Sequence, residues 1–337
     1  MSEPTVSAGY AKALLDFAVS KGAGRGPLLS QAGIRPEDLE DQDDRVPLAR
    51  YIALMAAAKT LCEAPALALE FCEGTRFEEF SVVGLICQSA DTMGEALVEL
   101  NRFQRLVIET DGLAQGDRFR LIPGGGELWL EDQRLDPNGF PELTEIAFGR
   151  FVCEMARHYP GTPFVKRLIV THPAPAHAEA YERILRIPVT FDGDRNAMQI
   201  EPSWLGLKIH RPNPYVFGVL SAHAAALLEE LQTSQTMRGR VERLILPLLH
   251  KGDAVGKEYV AKELGVSGQT LYRKLKAEGV SFEQLLDDLR HRLAVHYLDG
   301  KKVSVSETAY LVGFADASAF SRAFKRWTGV SPRGRKT

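Results

Sequence analysis

Apolar side chains recur at helical spacing through the opening third of the chain. Tyr10, Leu14, Leu15, Phe17 and Ala18 form one stripe, which Gly22 to Gly26 ends, and after Pro47 the residues Leu48, Tyr51, Ile52, Leu54, Met55, Ala58 and Leu61 form a wider one. Similar spacing predicts helices over 65–72, 81–89 and 92–105, so this part reads as a helical subdomain. At residue 118 the period changes to two. Residues 118–122 and 127–131 alternate polar with apolar around Pro123, Gly124, Gly125 and Gly126, which predicts a β-hairpin. These glycines do not make a phosphate loop, because a P-loop continues into Gly-Lys-Ser/Thr and a helix, whereas a strand follows here. Beyond the hairpin the pattern predicts a helix over 142–159, a strand over 167–171, a helix over 176–185, and a strand pair formed by 189–191 with 197–200. Helices and strands in this alternation imply a small mixed α/β layer packed on the first helices.

Arg211, Pro212, Asn213 and Pro214 then mark a boundary, since two prolines interrupt any preceding element. The helix expected over 215–232 carries Val219, Ala222, Ala226, Leu227 and Leu231 near one stripe. Such a stripe fits either a dimer seam or a helix packed on its own domain. Residues 233–240 are polar and read as a linker. Three parts result: an α+β regulatory domain over 1–210, a linker helix and linker over 211–237, and an all-α domain over 238–337.

The last hundred residues contain one construction twice. Val260, Ala261 and Leu264 lead through Gly265-Val266-Ser267 into Thr270-Leu271-Tyr272-Arg273-Lys274-Leu275-Lys276. Val305, Ala309 and Leu311 lead through Gly313-Phe314 into Ala319-Phe320-Ser321-Arg322-Ala323-Phe324-Lys325-Arg326. Two helices crossing at about 90–120° through a glycine-containing turn make a helix-turn-helix, whose second helix enters the major groove of DNA. Ser304 with Glu307 and Ser281 with Gln284 have capping-box spacing, and Ser267 and Asp316 stand where the second helices begin. A helix over 282–298, with Leu285, Leu286, Leu289, Leu293 and Val295, joins the copies and can hold them about one turn of DNA apart.

Charge follows this division. The whole chain carries a net charge of −3, but from Arg238 onward 19 basic residues face 11 acidic ones, leaving the remainder at −11. A basic end on an acidic body is the footprint of a nucleic-acid-binding module attached to something else. The start is polar, no apolar stretch approaches the ~20 residues of a bilayer span, and a cytoplasmic location is expected. Cys62, Cys72, Cys87 and Cys153 lie in apolar or helical contexts without Cys-x-x-Cys spacing, which predicts reduced, buried thiols.

The residues Gly313-Phe314-x-Asp316-x-Ser318-x-Phe320-Ser321-Arg322-x-Phe324-Lys325-Arg326, followed by Gly329-Val330-Ser331-Pro332, resemble the signature of AraC/XylS-type transcriptional regulators. The first two hundred residues resemble that family's arabinose-binding-type sensory domain. The stretches that carry this are Gly84-Leu85-Ile86 with Thr92-Met93-Gly94-Glu95-Ala96-Leu97, and Tyr181-x-x-Ile184-Leu185-x-Ile187-Pro188-Val189-x-Phe191. The resemblance implies a sequence-specific DNA-binding regulator controlled by a small-molecule effector of unstated identity. It places base contacts on Gln269, Tyr272 and Arg273, and on Ala317, Ser318, Ser321 and Arg322. The chemistry agrees for Arg273 and Arg322, whose forked guanidinium matches guanine, and for Gln269, which matches adenine. Thr270 lies on the same helix, and Lys274, Lys276, Lys325 and Arg326 suit phosphate contacts. Two departures stand out: Ala315 and Ala317 are short where a polar side chain would reach a base, and Arg335 replaces a usual aromatic residue.

Expected partners are double-stranded promoter DNA, the effector, RNA polymerase and a second copy of the chain, with no membrane, cofactor or metal. Trp129, Phe140, Phe148, Arg150, His158 and Tyr159, near the junction of the two sensory layers, are the candidate effector contacts. His172 and His177 fit no zinc spacing, and Glu78, Glu79, Glu131, Asp132, Glu142 and Glu145 form no dyad visible in sequence. Two alternatives stay open: an architectural DNA-binding protein without effector, and a repair enzyme using Cys153 as nucleophile. The expectation is a non-enzyme.

Overall fold

The computed structural model describes residues 3–332 except 111–116, 125, 162–163, 210–211, 251–254 and 300–302, and leaves aside the side chains of 234, 235, 250 and 299. Arg335 therefore lies outside the described residues. The chain divides into two compact units, 2–228 and 229–337, with the boundary inside one helix.

The first unit begins with β1 (Thr5–Ser7), α1 (Ala8–Ser20), α2 (Arg25–Ala32), β2 (Arg45–Pro47), α3 (Leu48–Leu61), α4 (Leu67–Gly74), α5 (Val82–Ser89) and α6 (Met93–Val107). Helix α2 occupies a stretch that the glycines mark as a break. Gly24 is its N-cap and Pro27 falls in its first turn, where a missing N–H leaves no bond unmade. Strands β1 and β2 pair antiparallel, Val6 opposite Val46. Tyr10, Tyr51, Phe71 and Phe80 pack in tilted, edge-on or stacked pairs at the centre of these helices.

The second layer contains β3 (Phe119–Gly124), β4 (Glu127–Asp132), α7 (Pro141–His158), β5 (Val165–Ile169), α8 (Ala178–Leu185), β6 (Val189–Thr190) and β7 (Ala197–Ile200). The sheet runs β3-β4-β7-β5-β6. The hairpin over 118–131 forms as its alternation predicts, Leu121 opposite Leu130. The pairing of 189–191 with 197–200 does not form. Helix α8 returns the chain as a crossover, so β6 lies parallel beside β5, while β7 inserts antiparallel between β4 and β5. As a central strand β7 is buried at all four positions, which is why its sequence shows no alternation.

From the boundary helix α9 (Pro214–Gln235) the chain passes through Thr236 into α10 (Met237–His250), α11 (Lys257–Glu263), α12 (Gly268–Ala277), α13 (Phe282–Asp299), α14 (Val305–Leu311) and α15 (Ala317–Thr328). The linker expected over 233–240 is helical on both sides of Thr236. Its polarity belongs to a helix start: the Met237 and Arg238 amides donate to the Glu278 carboxylate at 2.7 and 2.8 Å. Gly239 is required there, because a Cβ would stand 1.8 Å from the Thr233 carbonyl oxygen. Met237, Val241, Ile245 and Leu249 make α10 part of the core with α11, α12 and the first half of α13. Ala294 and Leu298, from the second half of α13, share a separate core with Ala309, Phe320 and Phe324.

Candidate nucleic-acid interface and effector cavity

Both turns of the second unit use the same hydrogen bonds. The Gly265 and Val266 amides donate to the Lys262 and Ala261 carbonyls, both at 3.0 Å, and the Gly313 and Phe314 amides donate to Tyr310 and Ala309, both at 2.9 Å. These are the paired bonds of a Schellman turn, and the positive φ of Gly265 (68°) and Gly313 (76°) is what the position demands. The copies therefore superpose at an offset of 48 residues up to the turn. Beyond it Leu271 and Leu275 correspond to Phe320 and Phe324, an offset of 49. The second turn holds one extra residue.

That extra residue decides the correspondence of the recognition helices. Gln269, Tyr272 and Arg273 on α12 match Ser318, Ser321 and Arg322 on α15, whereas Ala317 matches Gly268. Gln269, Tyr272, Arg273, Lys274 and Lys276 are all exposed, as are Ser318, Arg322, Lys325 and Arg326. Three expected contacts are otherwise engaged. Ala317 packs against the aromatic core of its unit, the Ser321 hydroxyl donates to the Ala317 carbonyl at 2.7 Å, and Arg326 pairs with Asp287 of α13 at 2.6 Å. The Thr270 hydroxyl shares a 2.9 Å hydrogen bond with Ser267, the N-cap. Lys276 Nζ sits 5.8 Å from the centre of the Tyr272 ring. Arg273 and Arg322 make no ion pair among the described residues.

A residue not singled out in the sequence fixes the second turn. Arg290 of α13 donates to the Val312 and Gly313 carbonyls at 3.1 and 3.0 Å and stacks 4.8 Å from the Phe314 ring. The Ser281 and Ser304 capping boxes both form with reciprocal bonds.

In the first unit a cavity of about 350 Å³ lies between α6 and α7, closed by α5 and the 3-10 turn Pro202–Gly206. Arg150, His158 and Tyr159 line it. Trp129, Phe140 and Phe148 do not: Trp129 lies under Arg167 and Arg195 on the sheet, Phe140 packs edge-on to Tyr51, and Phe148 is fully buried in the core. The groups that sequence reasoning missed are Tyr10, Glu78, Gln88, Gln104, Arg118, Glu154 and Trp204. Two of them left a trace: Gln104 interrupts the apolar stripe of α6, and Arg150, Glu154 and His158 recur every four residues on α7.

The charged lining is mostly committed. Arg150 donates through one terminal nitrogen to the Thr75 carbonyl (2.7 Å) and through the other to the Thr75 hydroxyl (3.0 Å), and lies over the rings of Phe71 and Phe80. Arg118 grips Asp132 at 3.2 and 3.0 Å, and Arg134 approaches the same carboxylate at 2.9 Å. Burial alone would raise the Asp132 pKa, but Arg118 and Arg134 hold it below the usual carboxylate value. Glu78, Glu154 and His158 bring their polar atoms within 4.8 Å of one another where α7 ends. Away from the cavity, His172 and His177 are joined through Tyr181 and Glu145 in a buried network, with contacts of 3.1, 2.9 and 2.6 Å.

The model of the arabinose-binding N-terminal domain of AraC transcription regulators matches residues 22–209, and a helix-turn-helix domain model matches 260–335. The chain belongs to the AraC family of transcription regulators. A Pseudomonas aeruginosa relative, the ornithine utilization regulator, is 31% identical over 97% of this chain and 95% of its own length. The Escherichia coli transcriptional activator RhaS is 33% identical over 34% of this chain and 43% of its own. A solved Pseudomonas aeruginosa regulator, CdpR, covers 93% of this chain and 96% of its own with a TM-score of 0.41 and 22% identity. This AraC-family protein is thus a DNA-binding transcription regulator with an effector-binding N-terminal domain. Burial pushes the thiols of Cys72 and Cys87 up to about 12 and that of Cys153 up to about 11, the opposite of an activated nucleophile. No helix among the described residues is long and apolar enough to cross a membrane.

Proposed function

We propose that α12 is the principal base reader of this regulator and that the cavity between α6 and α7 receives its effector. The observation that carries the first part is the row Gln269, Tyr272 and Arg273. All three are exposed on the recognition helix, and Arg273 has no intramolecular counter-ion among the described residues. Arg322 is the matching reader on α15, with Lys274 and Lys325 on phosphates. For the cavity, the support is its apolar lining with a few converging polar groups, the usual composition of a small-molecule site. The relative named for ornithine utilization makes an amine-bearing effector a natural candidate, and Glu78 suits one, whereas Glu154 already pairs with Arg157 at 2.9 Å. RNA polymerase is the expected downstream partner, and the cytoplasm the expected location. A second copy of the chain is supported by the exposed apolar residues Tyr215, Val216 and Val219 on α9.

The test is footprinting and competition binding on DNA flanking the protein's own gene. Arg273→Ala should cost about 1–3 kcal/mol of specific binding and relax one base position, leaving nonspecific binding nearly unchanged. Equal loss on all sequences would reassign Arg273 to phosphate.

A further inference from the structure

The cavity is long rather than round. Its lining includes Met93 and Val107, at opposite ends of α6, and Leu143 and His158, near opposite ends of α7. At ~1.5 Å per residue the α6 stripe spans about 21 Å. A volume of about 350 Å³ drawn out over that reach is narrow for its length. The space therefore fits one chain lying along the helices, and its middle, lined by Leu97, Leu100, Phe119, Ala147 and Phe151, offers that chain little but apolar contact.

The polar groups decide what the chain carries. The cavity guanidiniums are largely engaged and leave no forked pair of N–H groups for an anionic head: Arg118 is neutralised by Asp132, and both terminal nitrogens of Arg150 are held by Thr75, which leaves only its Nε. A carboxylate is free: Glu78 has no hydrogen-bond or ion-pair partner among the described residues, and it stands beside Glu154 and His158 where α7 ends. Two polar atoms deep in the lining are also unpartnered, Gln104 Oε1 and Arg150 Nε, in residues 7% and 8% exposed. A buried acceptor and a buried donor without partners are costly unless an occupant supplies both kinds of bond.

We infer that the effector is an elongated amphiphilic amine: an apolar chain between α6 and α7, a protonated amine against Glu78, and a hydroxyl or amide in its body. This rests on the reading of the cavity as the effector site. Calorimetric titration of the full-length protein with n-decylamine, decanoate and 1,4-diaminobutane, each kept below micelle-forming concentration, separates chain from head. Decylamine should bind at least tenfold more tightly than either of the others. Glu78→Gln should remove that advantage over decanoate without changing decanoate affinity. Leu100→Trp, or Ala147→Phe if the first lowers the melting temperature, should abolish decylamine binding by filling the space. Tighter binding of decanoate, indifference to Glu78→Gln, or no decylamine binding would overturn the amine head; tighter binding of the short diamine would overturn the apolar body. Decylamine binding that survives both filling variants would instead remove the cavity as the effector site.

Discussion

The two helix-turn-helix units are built to the same hydrogen-bond pattern and spend their side chains differently. The first has a mostly aliphatic core, to which α10 contributes Met237, Val241, Ile245 and Leu249, and presents glutamine, tyrosine and arginine outward. The second fills its core with Phe320, Phe324, Phe314 and Trp327 and presents serine and arginine. Its turn is also tied from outside by Arg290, whereas among the described residues no side chain donates to the Leu264 or Gly265 carbonyl. On the proposed assignment one copy is the better reader, and the other is the more heavily braced. A duplicated motif can therefore divide the tasks of reading bases and holding register between its copies.

The largest test of this division is core truncation. Phe324→Ala in the second unit should cost about 3–5 kcal/mol and Leu271→Ala in the first about 2–5 kcal/mol, since both side chains are fully buried. Separate cores predict that each loss is local. Hydrogen exchange should show Phe324→Ala exposing α14 and α15 while α11 and α12 stay protected. Simultaneous exposure of all four helices would mean that the domain unfolds as one body and that the contrast is only one of composition.

The brace is next in size. Arg290→Met removes two hydrogen bonds from a charged donor, and such bonds are worth about 1.5–3 kcal/mol each before solvent screening reduces them at this half-buried site. The expected result is a lower melting temperature and a weaker second half-site in footprints, with the first half-site protected as before. Loss of both half-sites together would show that Arg290 supports the whole domain.

Much of this contrast was legible in the chain before the structure. Both glycines, the caps and the apolar positions of each unit are local features, and local hydrogen bonding determines them. The extra residue in the second turn was equally visible, yet its consequence was not, because the match of Ala317 to Gly268 emerges only when the core positions are superposed. Helix α10 was hidden for a different reason. Its first turn is polar because Glu278, forty residues away, caps it, and no local pattern announces a distant cap. The cavity proposed for the effector was least legible. Trp129, Phe140 and Phe148 have the right chemistry for a pocket but are used for packing, while Glu78 and Gln104 reach the cavity through the way α5, α6 and α7 meet.

Base reading gives a smaller effect than core or brace, and it addresses the comparison directly. Gln269→Ala should cost about 1–3 kcal/mol at one base position, as a bidentate pair with adenine would. Ser318→Ala, at the matching place on α15, should cost less than about 1 kcal/mol, the scale of a single neutral hydrogen bond. Selection of binding sites from random DNA by the two variants would measure both. Equal costs would make the second unit as strong a reader as the first.

The smallest expected effect concerns the caps, and it has two opposing parts. Asp316 accepts two amides of α15, from Ser318 and Ala319 at 2.8 and 2.7 Å, whereas Ser267 accepts one of α12, from Thr270 at 3.1 Å. Removing either costs about 0.5–2 kcal/mol, and the doubly bonded, charged cap should lie nearer the upper end. Asp316→Asn keeps the geometry while discarding the charge, so it should forfeit only the ~0.3–1 kcal/mol of dipole stabilisation. On DNA the sign reverses, because a carboxylate at the start of a recognition helix repels the phosphates that its neighbours attract. Asp316→Asn should thus be slightly less stable alone and bind more tightly at low salt, with the gain fading as salt rises. Ser267→Ala should lower stability without any such salt-dependent gain. If Asp316→Asn left DNA affinity unchanged at every salt concentration, α15 would not approach the backbone as closely as α12, and the register-holding role given to the second unit would have to move to α13.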